Sequence, residues 1–378
     1  MRDQHLIIVP FHLPWEWSAD YQRQTCLELA KNHFVIAYIR NDARFTLKSR
    51  PKHTFPKLKN IVFYQPRYLL PFRRFAWIER ANQLICVWYL MVRYGWKKPK
   101  TLLWIFDPVF WFYPTLRYVW KRVVSIYDCV DYMWSRDPLI RRETQRMEER
   151  LIRRADYFIV NSHILANLHQ KQRQADAIVP QGFRYNDFRR PHTSKHLFGT
   201  SRNVVGYVGA INHRMNFDLI HSLAQRCPDA HFVFWGRIQE TEEIDLQQTK
   251  HQIRRLLRFP NVTVGHSEDT RELPAIIAQF SVAIIPYDTS QDGIRYCYPM
   301  KLFEYFYMGK PVISTPIVEL RRYPRFVNVG STVGDWERLI RELLRTSWPK
   351  KYQQEQRRFA LANSWKRKIT AIFSVVGV

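Results

Sequence analysis

The stretch Tyr298-Pro-Met-Lys-Leu-Phe-Glu-Tyr-Phe-Tyr-Met-Gly-Lys-Pro-Val-Ile-Ser-Thr315 reads as loop, helix, turn and strand. Pro299 suits the first position of a helix, where its missing N–H costs nothing. Gly309 suits the residue just past a helix end, where a left-handed backbone is needed. The helix between them is about two to three turns long. Lys310-Pro311 ends any continuation, and Val312-Ile313 followed by Ser314-Thr315 reads as a short buried strand with a polar end. Helix followed by strand at this spacing is an α/β unit.

Met300, Lys301 and Glu304 fall along one side of that helix, while Leu302, Phe303 and Phe306 turn inward. A lysine at a helix start is electrostatically misplaced unless an anion offsets it. A diphosphate supplies such an anion, and one turn on, the two oxygens of Glu304 suit the vicinal hydroxyls of a sugar. Together they describe a clamp for a nucleotide sugar. The plain alternative is a Lys301–Glu304 pair on a solvated helix, and spacing alone does not decide between them.

Pro-Met-Lys-Leu-Phe-Glu-Tyr followed by Met-Gly-Lys-Pro-Val-Ile-Ser-Thr resembles the C-terminal domain of GT-B glycosyltransferases, particularly the retaining group 1 (family 4-like) enzymes and the related bacterial exopolysaccharide and glucuronosyl transferases. The resemblance implies that Lys301 approaches the donor diphosphate and Glu304 holds the ribose. Group 1 enzymes usually carry two glutamates eight positions apart. The first would fall at Tyr296, so only the second is present.

Outward from this stretch, the chain of 378 residues is longer than one core usually supports, so two domains are expected. Lys+Arg 59 against Asp+Glu 33 gives a net charge of +26, with 13 Trp among the residues. A cationic surface of this kind seeks nucleic acid, an anionic leaflet or phosphate-bearing substrates, and only the last two also explain the tryptophans. The five cysteines (Cys26, Cys86, Cys129, Cys227, Cys297) show no metal-ligand spacing and read as buried reduced thiols. The N-terminal apolar run is too short for a signal peptide and no run reaches spanning length, so the protein is expected to stay on the cytoplasmic side.

The second domain opens at Asn203 with Val-Val-Gly-Tyr-Val-Gly209, a strand and glycine turn. By resemblance this turn faces the donor phosphates. Asn212, His213 and Arg214 are in reach there, Arg214 being the most apt chemically. His231–Trp235, Asn261–Val264 and Val282–Ile285 are further strands. Their end loops converge, with Tyr287 in the last and His266 either lying against the base, as the resemblance implies, or standing as a solvated loop histidine.

In the first domain, Leu6–Val9 and Phe34–Ile39 flank a helix from Ser18 to Lys31, and no dinucleotide glycine fingerprint occurs. The resemblance implies acceptor or donor contacts in the first loop of this domain, with Trp17 and Arg23 the candidates for the acceptor, against plain packing for Trp17. Strands at Leu102–Phe106 and Val123–Tyr127 each end on acid, the second at Asp128-Cys-Val-Asp131. Acids at strand ends sit where α/β chemistry takes place. Asp131 is the first choice for a general base on the acceptor hydroxyl and Asp128 the second, against N-capping or turn duty for either. From Arg67 to Lys100 basic and aromatic residues interleave around an apolar helix with Leu84, Ile85, Trp88 and Val92. We read the segment as docking on an anionic membrane, with the central Leu84–Val92 face turned to the core.

The expected architecture is two doubly wound α/β domains around a cleft. Residues 1–190 take the acceptor, 191–350 take the donor, and 351–378 form a terminal helix crossing back to the first domain. The expected activity is metal-independent, cofactor-free transfer of a sugar from a nucleotide diphosphate sugar, with uridine diphosphate preferred over guanosine diphosphate as leaving group. The acceptor is lipid-linked or a glycan, at the inner membrane face. A base at Asp131 implies inversion. The rival readings are a nucleotide-sugar 2-epimerase of the same plan, which needs no membrane surface, and a basic nucleic-acid binder, which would cluster its charge on one recognition element.

Overall fold

The computed structural model describes residues 4–12, 15, 20–40, 55–66, 69–72, 74–189, 198, 203–240, 243–267 and 269–378. The chain divides into two units. Met1–Pro180 together with Lys368–Val378 make the first, and Gln181–Arg367 the second.

In the first unit seven parallel strands lie in the order β3-β2-β1-β4-β5-β6-β7. They are β1 Leu6–Phe11, β2 Phe34–Ile39, β3 Ile61–Tyr64, β4 Thr101–Ile105, β5 Val123–Cys129, β6 Tyr157–Val160 and β7 Ala177–Ile178. Helices α1 Asp20–Leu29, α2 Ala76–Gly95, α3 Pro138–Arg154 and α4 His163–His169 join them. Strand alternation sends Leu6, Ile8, Leu103, Ile105 and Tyr127 into one apolar cluster and Ile7, Val9, Leu102, Trp104 and Ile126 into another. Both faces of the sheet are therefore covered, which explains why its strands are apolar throughout.

The second unit contains α5 Tyr185–Arg189 and a six-stranded sheet, order β10-β9-β8-β11-β12-β13. Its strands are β8 Val204–Val208, β9 His231–Trp235, β10 Val262–Gly265, β11 Val282–Ile285, β12 Val312–Ser314 and β13 Val327–Val329. Its helices are α6 Phe217–Arg226, α7 Glu243–Leu256, α8 Leu273–Ala278, α9 Asp292–Arg295, α10 Lys301–Tyr307, α11 Val333–Arg345 and α12 Lys350–Ala362. In both units the central strand order reverses at a switch point, between β1 and β4 and between β8 and β11, and ligands of open parallel sheets bind beyond the strand ends at such points.

Two expectations change. The tail is two helices rather than one: α12 ends at Ala362, and α13, Trp365–Val376, places Ile369 and Ile372 in the apolar cluster of the first unit's sheet. The polar run Arg189–Arg202 falls almost wholly outside the described residues. On α2 the core face is Cys86, Val87, Leu90 and Met91, while Ile85 and Trp88 are exposed. The helix is apolar on nearly all sides, so periodicity alone could not select the buried face.

Candidate functional site

The quoted stretch folds as α10 followed by β12, and α10 begins two residues later than Pro299 implied. Met300 is the N-cap residue and Pro299 lies outside the helix, its carbonyl accepting from the Leu302 N–H at 3.1 Å. Leu302, Phe303, Tyr305 and Phe306 are fully buried. Burying a phenylalanine of this kind contributes roughly 2–3 kcal/mol. Gly309 takes φ 65°, the left-handed C-terminal geometry that its position called for.

Lys301 is held between two tyrosines. Its Nζ lies 4.7 Å from the ring centroids of both Tyr207, on β8, and Tyr287, past β11, and donates to the Tyr287 hydroxyl. This aromatic cradle offsets the lysine's charge at the helix start without an anion. Gly209, at φ 127°, stands directly beside it. A Cβ there would come within 3.0 Å of Lys301 Cε and 3.2 Å of Nζ, so the glycine makes room for the lysine. Tyr207 supports the turn by donating its hydroxyl to the Ala210 carbonyl at 2.7 Å, and burial holds its pKa well above the usual tyrosine value.

Backbone bonds draw the strand-end loops of the second unit together. Gly209 N–H donates to Trp235 O at 3.0 Å and Gly236 N–H to Gly265 O at 2.7 Å. Across the switch point, Asn216 N–H reaches Pro286 O and Asp288 N–H reaches Arg214 O, each at 2.8 Å. A Cβ on Gly236 would sit 1.9 Å from Gly209 O, which excludes any larger residue. Arg214 is exposed at this turn, and His266 is exposed past β10.

The solvated Lys301–Glu304 pair does not form. Glu304 is buried, and its Oε1 accepts from Arg184 Nη2 at 3.1 Å. Arg184, which precedes α5 and also lies 3.8 Å from Asp187 Oδ2, was not expected at the site. Nothing in its local sequence announces a partner 120 residues away. His213 is likewise committed: its N–H and Nδ1 meet the two oxygens of Glu240, each at 2.6 Å, and Thr249 donates to the same carboxylate. Glu240 thus braces the turn.

Asp128 is not a base on an acceptor. It is fully buried, with Lys368 Nζ on Oδ1 at 3.0 Å and Trp104 Nε1 on Oδ2 at 3.2 Å. Both oxygens are consumed, Oδ1 in tying α13 to β5 and Oδ2 in tying β4 to β5. Asp131, two residues beyond the end of β5, is half-buried, and its loop is fixed by Asn161 Nδ2 donating to Val130 O at 2.6 Å. Arg23 lies on α1, half-buried, and Trp17 lies outside the described residues. Among the described residues two groups bring three possible metal-ligating atoms within 4.8 Å, Cys129, Glu148 and His169 in the first unit and His213, Glu240 and Asp245 in the second. Each draws on separate elements, so sequence spacing could not have found it.

Residues 202–346 match a family model described as glycosyl transferases group 1. The putative teichuronic acid biosynthesis glycosyltransferase TuaH of Bacillus subtilis (strain 168) is 26% identical over 282 residues, covering 69% of this chain and 68% of that protein. Sucrose-phosphate synthase from Thermosynechococcus elongatus superposes over 99% of this chain and 98% of its own, with TM-score 0.75 and 13% identity. HepE of Anabaena in complex with UDP-glucose does so over 98% and 99%, with TM-score 0.69 and 14% identity. The second unit carries a group 1 glycosyltransferase domain, and the chain is a glycosyltransferase with the GT-B fold.

Proposed function

We propose that this glycosyltransferase takes a uridine diphosphate sugar on its second unit and transfers the sugar, without a metal, to a lipid-linked or glycan acceptor taken by its first unit at the cytoplasmic membrane face. The observation that carries the donor reading is Lys301, fixed between Tyr207 and Tyr287 beside the open backbone of Gly209. A cation already oriented in this way stabilises a diphosphate leaving group with little reorganisation as charge develops on it. Glu304 Oε2 has no hydrogen-bond partner among the described residues and is the oxygen offered to the ribose. Arg214 adds a second cation at the turn, Met300 and His266 flank the nucleotide, and Arg23 contacts the acceptor. Structural relatives are described in complex with UDP and UDP-glucose, and a sequence relative in teichuronic acid synthesis, which supports both ends of the reaction.

Membrane docking is supported by the surface around α2. Leu69, Phe72, Trp77 and Trp96 are each about two-thirds exposed or more, and Arg74 stacks on Phe75. No helix among the described residues is long and apolar enough to cross a membrane. Such a face lies at the headgroup boundary, each basic residue contributing about 1 kcal/mol against anionic lipid.

The test is calorimetric titration of UDP- and GDP-sugars into the protein and its Lys301→Ala variant. A UDP-sugar should bind the former, and the variant should bind it about 10- to 100-fold more weakly. Equal affinity for the two proteins would remove Lys301 from the donor site, and preference for a GDP-sugar would overturn the choice of nucleotide.

A further inference from the structure

Three arginines converge on one indole in the first unit, and glycosyl transfer as described above uses none of them. Trp111 follows the turn at Pro108–Phe110 beyond β4. Arg80, near the start of α2, and Arg150 and Arg154, in the last turns of α3, bring their Cζ atoms to 5.2, 4.8 and 4.7 Å from its ring centroid. No two of these charges are more than about 10 Å apart, roughly one Debye length at moderate salt, so they repel one another.

The indole attracts each guanidinium electrostatically but engages none of its five N–H donors. Among the described residues, those donors meet no carboxylate and no hydrogen-bond acceptor. Neighbouring acids are committed elsewhere: Glu148 to Tyr127, Glu149 to Arg153, Asp156 to Arg117 and Ser125, and Asp107 to the Val109 N–H. The cluster is therefore a set of aligned cations whose possible internal partners have been turned away.

We propose that Arg80, Arg150 and Arg154, arranged around Trp111, bind a phosphate oxyanion, as a phosphomonoester or diphosphate. Guanidinium forks match phosphate oxygens in pairs, and a doubly charged group relieves the repulsion among three cations better than a carboxylate does. A membrane lipid and a soluble diphosphate present the same chemistry, and the experiment separates them. The proposal does not depend on the donor site, whose residues are unchanged in both variants tested below.

The full-length protein, an Arg150→Gln/Arg154→Gln variant and a charge-matched Arg142→Gln/Arg146→Gln control are assayed in two ways. All four substituted residues are exposed on α3, and melting temperatures verify folding. One assay is cosedimentation with phosphatidylcholine vesicles containing phosphatidic acid, and the other is calorimetry with inorganic pyrophosphate. The first variant should lose at least about tenfold in one or both assays, with the control losing less than about threefold. Loss confined to vesicles assigns the phosphate to a lipid, and loss with pyrophosphate assigns it to a soluble or carrier-borne diphosphate. Equal losses in variant and control would reduce the cluster to diffuse charge, and no loss in either assay would also overturn the proposal.

Discussion

Asp128 in the first unit and Glu304 in the second are both carboxylates bonded to a cation from a distant part of the chain, Lys368 at 3.0 Å and Arg184 at 3.1 Å. They differ in what is left over. Asp128 is fully enclosed, and its second oxygen takes the Trp104 indole N–H. Glu304 keeps about a tenth of its side chain exposed, and Oε2 has no hydrogen-bond partner among the described residues. A carboxylate with both oxygens committed inside the fold is scaffold. One that holds an oxygen back at the surface can still meet a ligand, as proposed for Glu304, with the cation orienting it.

The sharpest test of that distinction lies within one loop, where Asp131 stands three residues from Asp128. Asp131→Asn should lower turnover by roughly 100- to 10,000-fold, as loss of a general base does, with donor affinity within a few-fold of normal. Near-normal turnover would remove it from the chemistry. A product whose anomeric proton shows retention by NMR would remove the base mechanism itself.

Asp128→Asn should leave the Lys368 ammonium buried without its counter-charge and destabilise the protein by about 3–5 kcal/mol. Denaturant melts measure this, and a loss near zero would mean that the pair is not scaffold.

Glu148 extends the comparison to a buried carboxylate whose hydrogen-bond donors are neutral, the Tyr127 hydroxyl at 2.7 Å and the Cys129 thiol at 3.8 Å. Burial raises its pKa from 4.5 to about 7. The stability it contributes is therefore fully present below pH 4.5 and is lost as pH rises through 7. His169, whose Nε2 lies 3.7 Å from Glu148 Oε1, has the opposite sign. Burial lowers its pKa from 6.5 to about 4, so its contribution is present above pH 6.5 and is lost as pH falls through 4. Glu148→Gln isolates the first effect. The stability of this variant relative to the unmodified protein should rise by about 3 kcal/mol across the window from pH 4.5 to 7. A difference independent of pH would show that Glu148 is ionised throughout.

The smallest expected effect belongs to Glu304→Gln, which should weaken donor binding by about 1.5–3 kcal/mol and leave melting nearly unchanged. A large drop in melting temperature with intact donor binding would place Glu304 with Asp128 as scaffold.

Much of the second unit was legible because its signals are local. Pro299 and Gly309 bracket the helix within two residues, the strands after Asn203 were recognisable as apolar runs between turn residues, and Lys301 and Gly209 proved to be neighbours. Asp128 misled because a strand-end acid looks the same whether it faces a ligand or a lysine 240 residues later. The core face of α2 misled because a helix apolar on most sides fits several rotations, and only packing against β1 and the turns after β4 selects one.

The sequence by itself determined the α/β class, the helix between Pro299 and Gly309 and the cationic, aromatic character of the chain, since these follow from residue type and short spacing. The tertiary structure alone decided which carboxylates have cations, which tyrosines cradle Lys301 and which arginines meet at Trp111. The reason is physical. The ionisation and reach of a side chain depend on burial and on partners brought in by the fold, and Coulomb and desolvation energies depend on distance in space rather than on distance along the chain.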